Sequence, residues 1–164
     1  MKTLYLVGGT MGVGKTTVCQ RLKRDLPHSV FLDGDWCWDA DPFIVNDETK
    51  DMVVDNIHHL LNNFLHCSVY ENVIFCWVMH EQSIIRSILD GLDTDGCRVI
   101  ILSLTVSEDG LRARLYGDVS SGIRENDVIK RSVARLPMYD ALDTVKIDTT
   151  GKDVQEIADE IAAL

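Results

Sequence analysis

Between Arg24 and Arg86 the sequence has no arginine, and Lys50 is the single lysine there. A segment so poor in cations is a bad host for an anionic molecule, because like charges repel. The shortage extends to the whole chain. Lys and Arg number 16 against 26 Asp and Glu, giving a formal net charge of −10. That balance argues against a nucleic-acid backbone or an anionic membrane surface as the main partner. No apolar run reaches the length of a membrane span. The five cysteines, Cys19, Cys37, Cys67, Cys76 and Cys97, contain no C-x-x-C pair. Their odd number and wide spacing predict reduced thiols in a cytoplasmic protein, not disulfides or a zinc site. Internal repeats, low-complexity segments and linkers are missing too. Met1-Lys2-Thr3 runs straight into a strand-like segment, so no signal peptide is expected.

What is present is an alternation. Leu4–Val7, Val30–Leu32, Val73–Val78, Arg98–Val106 and Val145–Ile147 read as short buried strands. Between them apolar residues recur at helical spacing. Val18, Cys19, Leu22 and Leu26 form one such face, ending before Pro27. Others are Val53, Ile57, Leu60, Leu61 and Phe64; Ile84, Ile85, Ile88 and Leu89; Ile129, Val133 and Leu136; and Val154, Ile157, Ala158 and Ile161. Ser107-Glu108-Asp109 reads as the cap of a helix carrying Leu111 and Leu115. The pattern predicts an α/β fold, a parallel sheet covered by helices on both faces, as one domain over residues 1–164. Ligands of such sheets bind at the carboxyl ends of the strands.

The first strand runs into Gly9-Thr10-Met11-Gly12-Val13-Gly14-Lys15-Thr16, a full G-x-x-x-x-G-K-[ST] match. Its glycines allow a tight turn whose N–H groups point at one phosphate, and the following helix adds its positive dipole end. Lys15 is expected to reach the β- and γ-phosphates of ATP. The Thr16 hydroxyl is expected to ligate Mg²⁺, with Thr17 beside it at the helix start. The second strand ends in Asp33-Gly34-Asp35. If the strand continues through them, both carboxylates share one side. One could take a proton from an acceptor hydroxyl, or hold a Mg²⁺-bound water. The alternative is an acidic loop that caps a helix. No acid directly follows Val73–Val78, which raises the value of Asp33 and Asp35 for the metal shell.

On these markers the chain resembles the small P-loop kinases of the nucleoside-monophosphate, shikimate, gluconate and chloramphenicol phosphotransferase type. They are Gly9–Thr16, Leu32-Asp33-Gly34-Asp35, an arginine-bearing segment, and Ile147-Asp148-Thr149-Thr150-Gly151 before the last helix. The resemblance implies a three-layer fold around a five-stranded parallel sheet in the order 2-3-1-4-5, with a helical lid over about residues 116–138. It also implies that Arg114 stacks on adenine and that Thr150-Gly151 touches the adenine edge. The stretch Gly122-Ile123-Arg124-Glu125-Asn126-Asp127, with Arg131 and Arg135, looks like a lid closing over phosphates. Asp118 departs from the adenylate-kinase-like pattern, which carries a second arginine there, so either a lid arginine such as Arg124 takes over that work or the lid differs. The alternative for Arg112, Arg114, Arg131 and Arg135 is a solvated helix face.

In this family the cation-poor stretch lines the acceptor site. Here it offers Asp33, Asp35, Asp39, Asp41, Asp47, Glu48, Asp51 and Asp55, interleaved with Trp36, Trp38 and Phe43, and Trp77, Met79 and His80 close the third strand. Aromatic faces with carboxylates suit an uncharged or cationic hydroxyl compound: a nucleoside, a sugar or an amine-bearing natural product. Asp33, Asp35, Trp36, Trp38, Trp77, His80 and Arg135 are therefore the expected acceptor residues. The expected activity is phosphoryl transfer from ATP with Mg²⁺, by a monomer or homodimer. A nucleoside-monophosphate kinase and a non-catalytic ATP-binding module are the competing readings. A GTPase is disfavoured, since no N-K-x-D segment is present.

Overall fold

The computed structural model describes residues 1–124 and 127–164. Five strands form one sheet: β1 Lys2–Gly8, β2 Ser29–Asp33, β3 Asn72–Cys76, β4 Cys97–Thr105 and β5 Val145–Asp148. Their order is β2-β3-β1-β4-β5 and every pairing is parallel, as expected from the sequence. Central β1 and β3 are apolar along most of their length because helices cover both of their faces. The register brings the carboxyl ends level. Asp33 of β2 pairs with Cys76 of β3, which pairs with Val7 of β1.

Among the described residues six α-helices accompany the strands: α1 Lys15–Asp25, α2 Asp47–His66, α3 Gln82–Asp90, α4 Glu108–Ser120, α5 Asp127–Arg135 and, after β5, α6 Val154–Ala162. Two short 3₁₀ turns, Gly34–Cys37 and Leu136–Ala141, follow β2 and α5. Local chemistry sets several ends. Ser107 caps α4 by accepting from the Gly110 N–H. Asn46 with Thr49, and Asp153 with Glu156, form reciprocal caps on α2 and α6.

The sheet separates two apolar cores. One holds α1, α4, α5 and α6 through Val18, Leu22, Leu111, Leu115, Ile129 and Ile157. The other holds α2, α3 and the second 3₁₀ turn through Ile57, Leu61, Ile85, Ile88 and Tyr139.

Three sequence expectations change. β3 ends at Cys76 rather than Val78; the Trp77 N–H still donates to the Val7 carbonyl at 3.1 Å before the chain turns at Met79, whose φ is +42. Leu136 leaves α5 and enters the 3₁₀ turn, since Pro137 has no N–H to continue an α-helix. β2 stops at Asp33 and the chain coils at Gly34, so period-two geometry does not relate Asp33 to Asp35.

Candidate active site

Gly8 ends β1, and the loop Gly9–Gly14 curls over the carboxyl edge into α1. Gly9, Gly12 and Gly14 all have positive φ. At Gly12 a Cβ would also lie 2.5 Å from the Leu115 side chain, so glycine is needed there for packing as well as for the turn. Lys15 folds back across the loop, and its Nζ donates to the carbonyls of Gly9 at 2.7 Å and Thr10 at 3.1 Å. Crowding by protein pushes the Lys15 pKa down, while the Asp35 and Asp33 carboxylates pull it up. Thr10 is fully buried, and its hydroxyl donates to the Ser132 carbonyl of α5 at 2.8 Å. Met11 packs partly buried against the core, Val13 is buried, and Thr17 is exposed on the first turn of α1.

Asp33 meets this loop. Its Oδ2 accepts from the Thr16 hydroxyl at 2.6 Å, and its Oδ1 accepts from the Asp35 N–H at 3.0 Å. Asp33 therefore caps the 3₁₀ turn, as the second sequence alternative expects, and also holds Thr16. Burial, followed by the Asp33 and Asp35 charges, pushes the neighbouring Cys37 thiol to about 11.

Beyond Asp35 opens a cleft of about 1140 Å³ between the first 3₁₀ turn, α2, α3 and the Trp77–Glu81 turn. Asp35, Trp38, Trp77, His80 and Arg135 all line it. Trp38 stacks on Phe43 with ring centres 4.2 Å apart, and the Trp77 indole N–H donates to Asp35 Oδ1 at 3.2 Å. Asp51, Asp55 and Glu81 add carboxylates, and Lys50 and Arg135 are the cations. Trp36 stands apart from this lining. It is 57% exposed and meets Phe31 edge-on. Asp39 and Asp41 are exposed outside it. Burial, then the Arg135 charge, pushes the His80 pKa down, and Glu81 opposes them.

On the other side of the loop, Arg114 donates to the Val13 carbonyl at 3.0 Å and reaches the Thr149 hydroxyl and carbonyl at 3.4 Å. It thus ties the loop to the β5–α6 connection, where Thr150 accepts from the Ser107 N–H and Gly151 has φ +70. The remaining arginines divide. Arg124 pairs with Asp118 at 2.8 Å, Arg131 with Asp127 at 3.4 Å, and Arg112 with Glu108 at 2.8 Å, the last two along exposed helix faces. Of the lid motif, Glu125 and Asn126 lie outside the described residues.

Sequence reasoning missed several residues at the site. Tyr139 is wholly buried and donates to the Val78 carbonyl at 2.5 Å. Ser132, whose carbonyl accepts from Thr10, carries no sequence signal either. No local pattern marks such contacts, which join segments far apart in sequence.

A glycine cradle between a parallel strand and a helix, with Lys15 over it and a Thr–Asp pair at its foot, defines a P-loop nucleotide-binding site, and the surrounding three-layer sheet is the P-loop kinase fold. A family model described as an AAA domain matches residues 6–131, and the chain belongs to that family. Among curated proteins none matches. Solved structures share the fold at low identity. A tunicamycin resistance protein from Deinococcus radiodurans is 21% identical with TM-score 0.71, over 99% of this chain and 95% of that one. A gluconokinase from Sinorhizobium meliloti is 18% identical with TM-score 0.70, over 98% and 90%. A shikimate kinase from Acinetobacter baumannii, solved with shikimate, is 22% identical with TM-score 0.64, over 99% and 91%. Among the described residues no helix is long and apolar enough to cross a membrane.

Proposed function

We propose that this protein transfers the γ-phosphoryl group of ATP to a hydroxyl of a small uncharged or cationic molecule. The observation that carries this reading is the cleft opening at Asp35, directly beside the Thr16–Asp33 pair and the loop of Lys15. Donor cradle and acceptor cleft thus meet at one pair of carboxylates.

In this reading the loop N–H groups from Gly9 to Thr16 hold the phosphates. Lys15 leaves the Gly9 and Thr10 carbonyls for the β- and γ-phosphates, where its charge opposes the negative charge of the transition state. Arg114 offers its guanidinium plane to adenine beside Thr150-Gly151. Asp35 accepts the proton of the acceptor hydroxyl as its oxygen bonds to the γ-phosphorus and the bond to the bridging oxygen of ADP breaks. The Trp77 indole N–H keeps Asp35 oriented toward the cleft. Trp38, Phe43 and Trp77 hold the acceptor's apolar face. Arg124 and Arg131 serve the phosphates only after exchanging Asp118 and Asp127 for them.

Among the described residues no group of three or more His, Cys, Asp or Glu is gathered for a metal. The Thr16 hydroxyl and Asp33 carboxylate, 2.6 Å apart, still suit Mg²⁺, which takes few protein oxygens and completes its shell with phosphate and water. Bound there, Mg²⁺ would neutralise charge on the phosphates. The five free cysteines favour a cytoplasmic setting.

A monophosphate acceptor is disfavoured because four carboxylates, Asp35, Asp51, Asp55 and Glu81, face two cations, Lys50 and Arg135, in the cleft. The test is ADP release with Mg·ATP against nucleosides, nucleoside monophosphates and aminoglycoside-like amines. Stimulation by uncharged or amine-bearing alcohols is expected. Turnover of monophosphates alone would overturn the acceptor class, and ATP binding with no stimulated release would make the chain a non-catalytic module.

A further inference from the structure

The turn after β3 is held in an unusual shape. Met79 adopts φ +42, a left-handed conformation that a side chain with a Cβ resists. Its side chain is buried next to Gly8 at the start of the phosphate loop. The preceding carbonyl, of Val78, is fixed from two sides, by the Gly9 N–H at 3.3 Å and the Tyr139 hydroxyl at 2.5 Å. These restraints set the position of the next residue, His80, on the cleft wall.

His80 is distinguished by one atom. Its Nδ1 is buried and has no hydrogen-bond partner, the sole buried side-chain nitrogen or oxygen so left among the described residues. Its other nitrogen, Nε2, lies 3.5 Å from Glu81 Oε1. A carboxylate on that side draws the ring proton to Nε2, which leaves Nδ1 as a lone-pair acceptor. A buried acceptor without a donor is costly, and native proteins keep very few of them. Here the cost coincides with backbone strain and with a cleft.

We propose that His80 selects the acceptor: its Nδ1 accepts a hydrogen bond from a second donor, a hydroxyl or ammonium N–H, on the molecule whose reacting hydroxyl faces Asp35. This rests on reading the cleft as the acceptor site. It narrows the acceptor to polyols and amino alcohols, and excludes a molecule with a single hydroxyl on an otherwise apolar body. A neutral imidazole suits this role beside Arg135, because a second fixed cation would repel an ammonium group.

The test uses the full chain saturated with Mg·ADP and labelled for nitrogen NMR of histidine. Uridine is compared with deoxyuridine, and glucosamine with deoxyglucose. The expected result is that the His80 Nδ1 resonance moves to a hydrogen-bonded position with uridine or glucosamine, and less with the analogue lacking the donor. In parallel, His80→Asn, which keeps an oxygen near the Nδ1 position, should hold the acceptor KM near the wild-type value. His80→Gln and His80→Phe should raise it about tenfold or more with Mg·ADP affinity unchanged. An Nδ1 resonance unmoved by every probe, or already hydrogen-bonded without one (as when Arg135 donates to it), overturns the inference, as does a wild-type KM in His80→Phe. The two readings fail separately. Stimulated ADP release with an unmoved Nδ1 removes the role of His80 alone. A moved Nδ1 with no ADP release leaves His80 as a ligand reader and removes the transferase.

Discussion

Gly34→Ala tests the wall of the proposed acceptor cleft with a single methyl group. Gly34 opens the 3₁₀ turn between Asp33 and Asp35 and its φ is not left-handed, so alanine meets no backbone strain there. On backbone grounds alone the change would stabilise by about 0.4–1 kcal/mol, through a less flexible unfolded chain. The added Cβ, however, would lie 2.5 Å from Trp77 Cγ, 2.6 Å from Cδ1 and 3.0 Å from Cβ. These atoms are the root of the indole, not a free end. They cannot move aside without turning the ring and lengthening its 3.2 Å bond to Asp35. Overpacking of this kind costs roughly 1–3 kcal/mol. The overpacking cost outweighs the entropic gain, leaving a net loss of about 1–2 kcal/mol. For a chain of this size that lowers Tm by roughly 2–8 °C. Calorimetry reads the Tm, and steady-state kinetics should show a raised acceptor KM with Mg·ADP affinity retained, because the clash lies outside the phosphate loop. An unchanged or higher Tm with an unchanged acceptor KM would refute the reasoning.

Lys15→Ala should cut turnover about 10²-fold or more, roughly 3 kcal/mol of lost charge stabilisation, in a coupled ADP-release assay. Asp33→Asn removes the charge beside Thr16 and should raise the Mg²⁺ concentration for half-maximal activity by about 10–100-fold, read by Mg²⁺ titration at fixed ATP. Tyr139→Phe removes the donor to the Val78 carbonyl, which keeps its bond from Gly9; urea unfolding should show a loss of about 1 kcal/mol. The His80 pKa is lowered by burial and Arg135, with Glu81 opposing, so below the ordinary imidazole pKa the unfolded chain binds the proton more readily than the folded one. Wild-type stability should therefore fall more steeply than that of His80→Asn as pH drops from about 7 toward 5, measured by denaturant unfolding across that range.

The phosphate cradle was legible because its chemistry is local: glycine spacing, Lys15 and Thr16 occupy eight consecutive residues between a strand and a helix. Strand and helix periods were equally plain, and their alternation led to the parallel sheet. Asp33 was legible only as a candidate, since its partner Thr16 lies on another element and the bond appears once β1 and β2 are packed with β3 between them. The aromatic walls divided by their neighbours. Trp38 and Trp77 have α2 and Asp35 to face, whereas Trp36 is turned outward on the short 3₁₀ coil that replaces a strand end. The arginines were least legible. Arg112, Arg114 and Arg131 look alike in a helical pattern, and only tertiary contacts separate the one that holds the loop from the two that pair along their own helices.

The partition of the two cores by the sheet has a consequence for how such a chain can diversify. Substitutions in α2 and α3 reshape one core while the other, which carries α1, α4 and the nucleotide machinery, keeps its packing. A library randomised over the α2 wall should yield folded, nucleotide-binding proteins at high frequency. The chain is in that sense a fixed engine with an exchangeable tool socket.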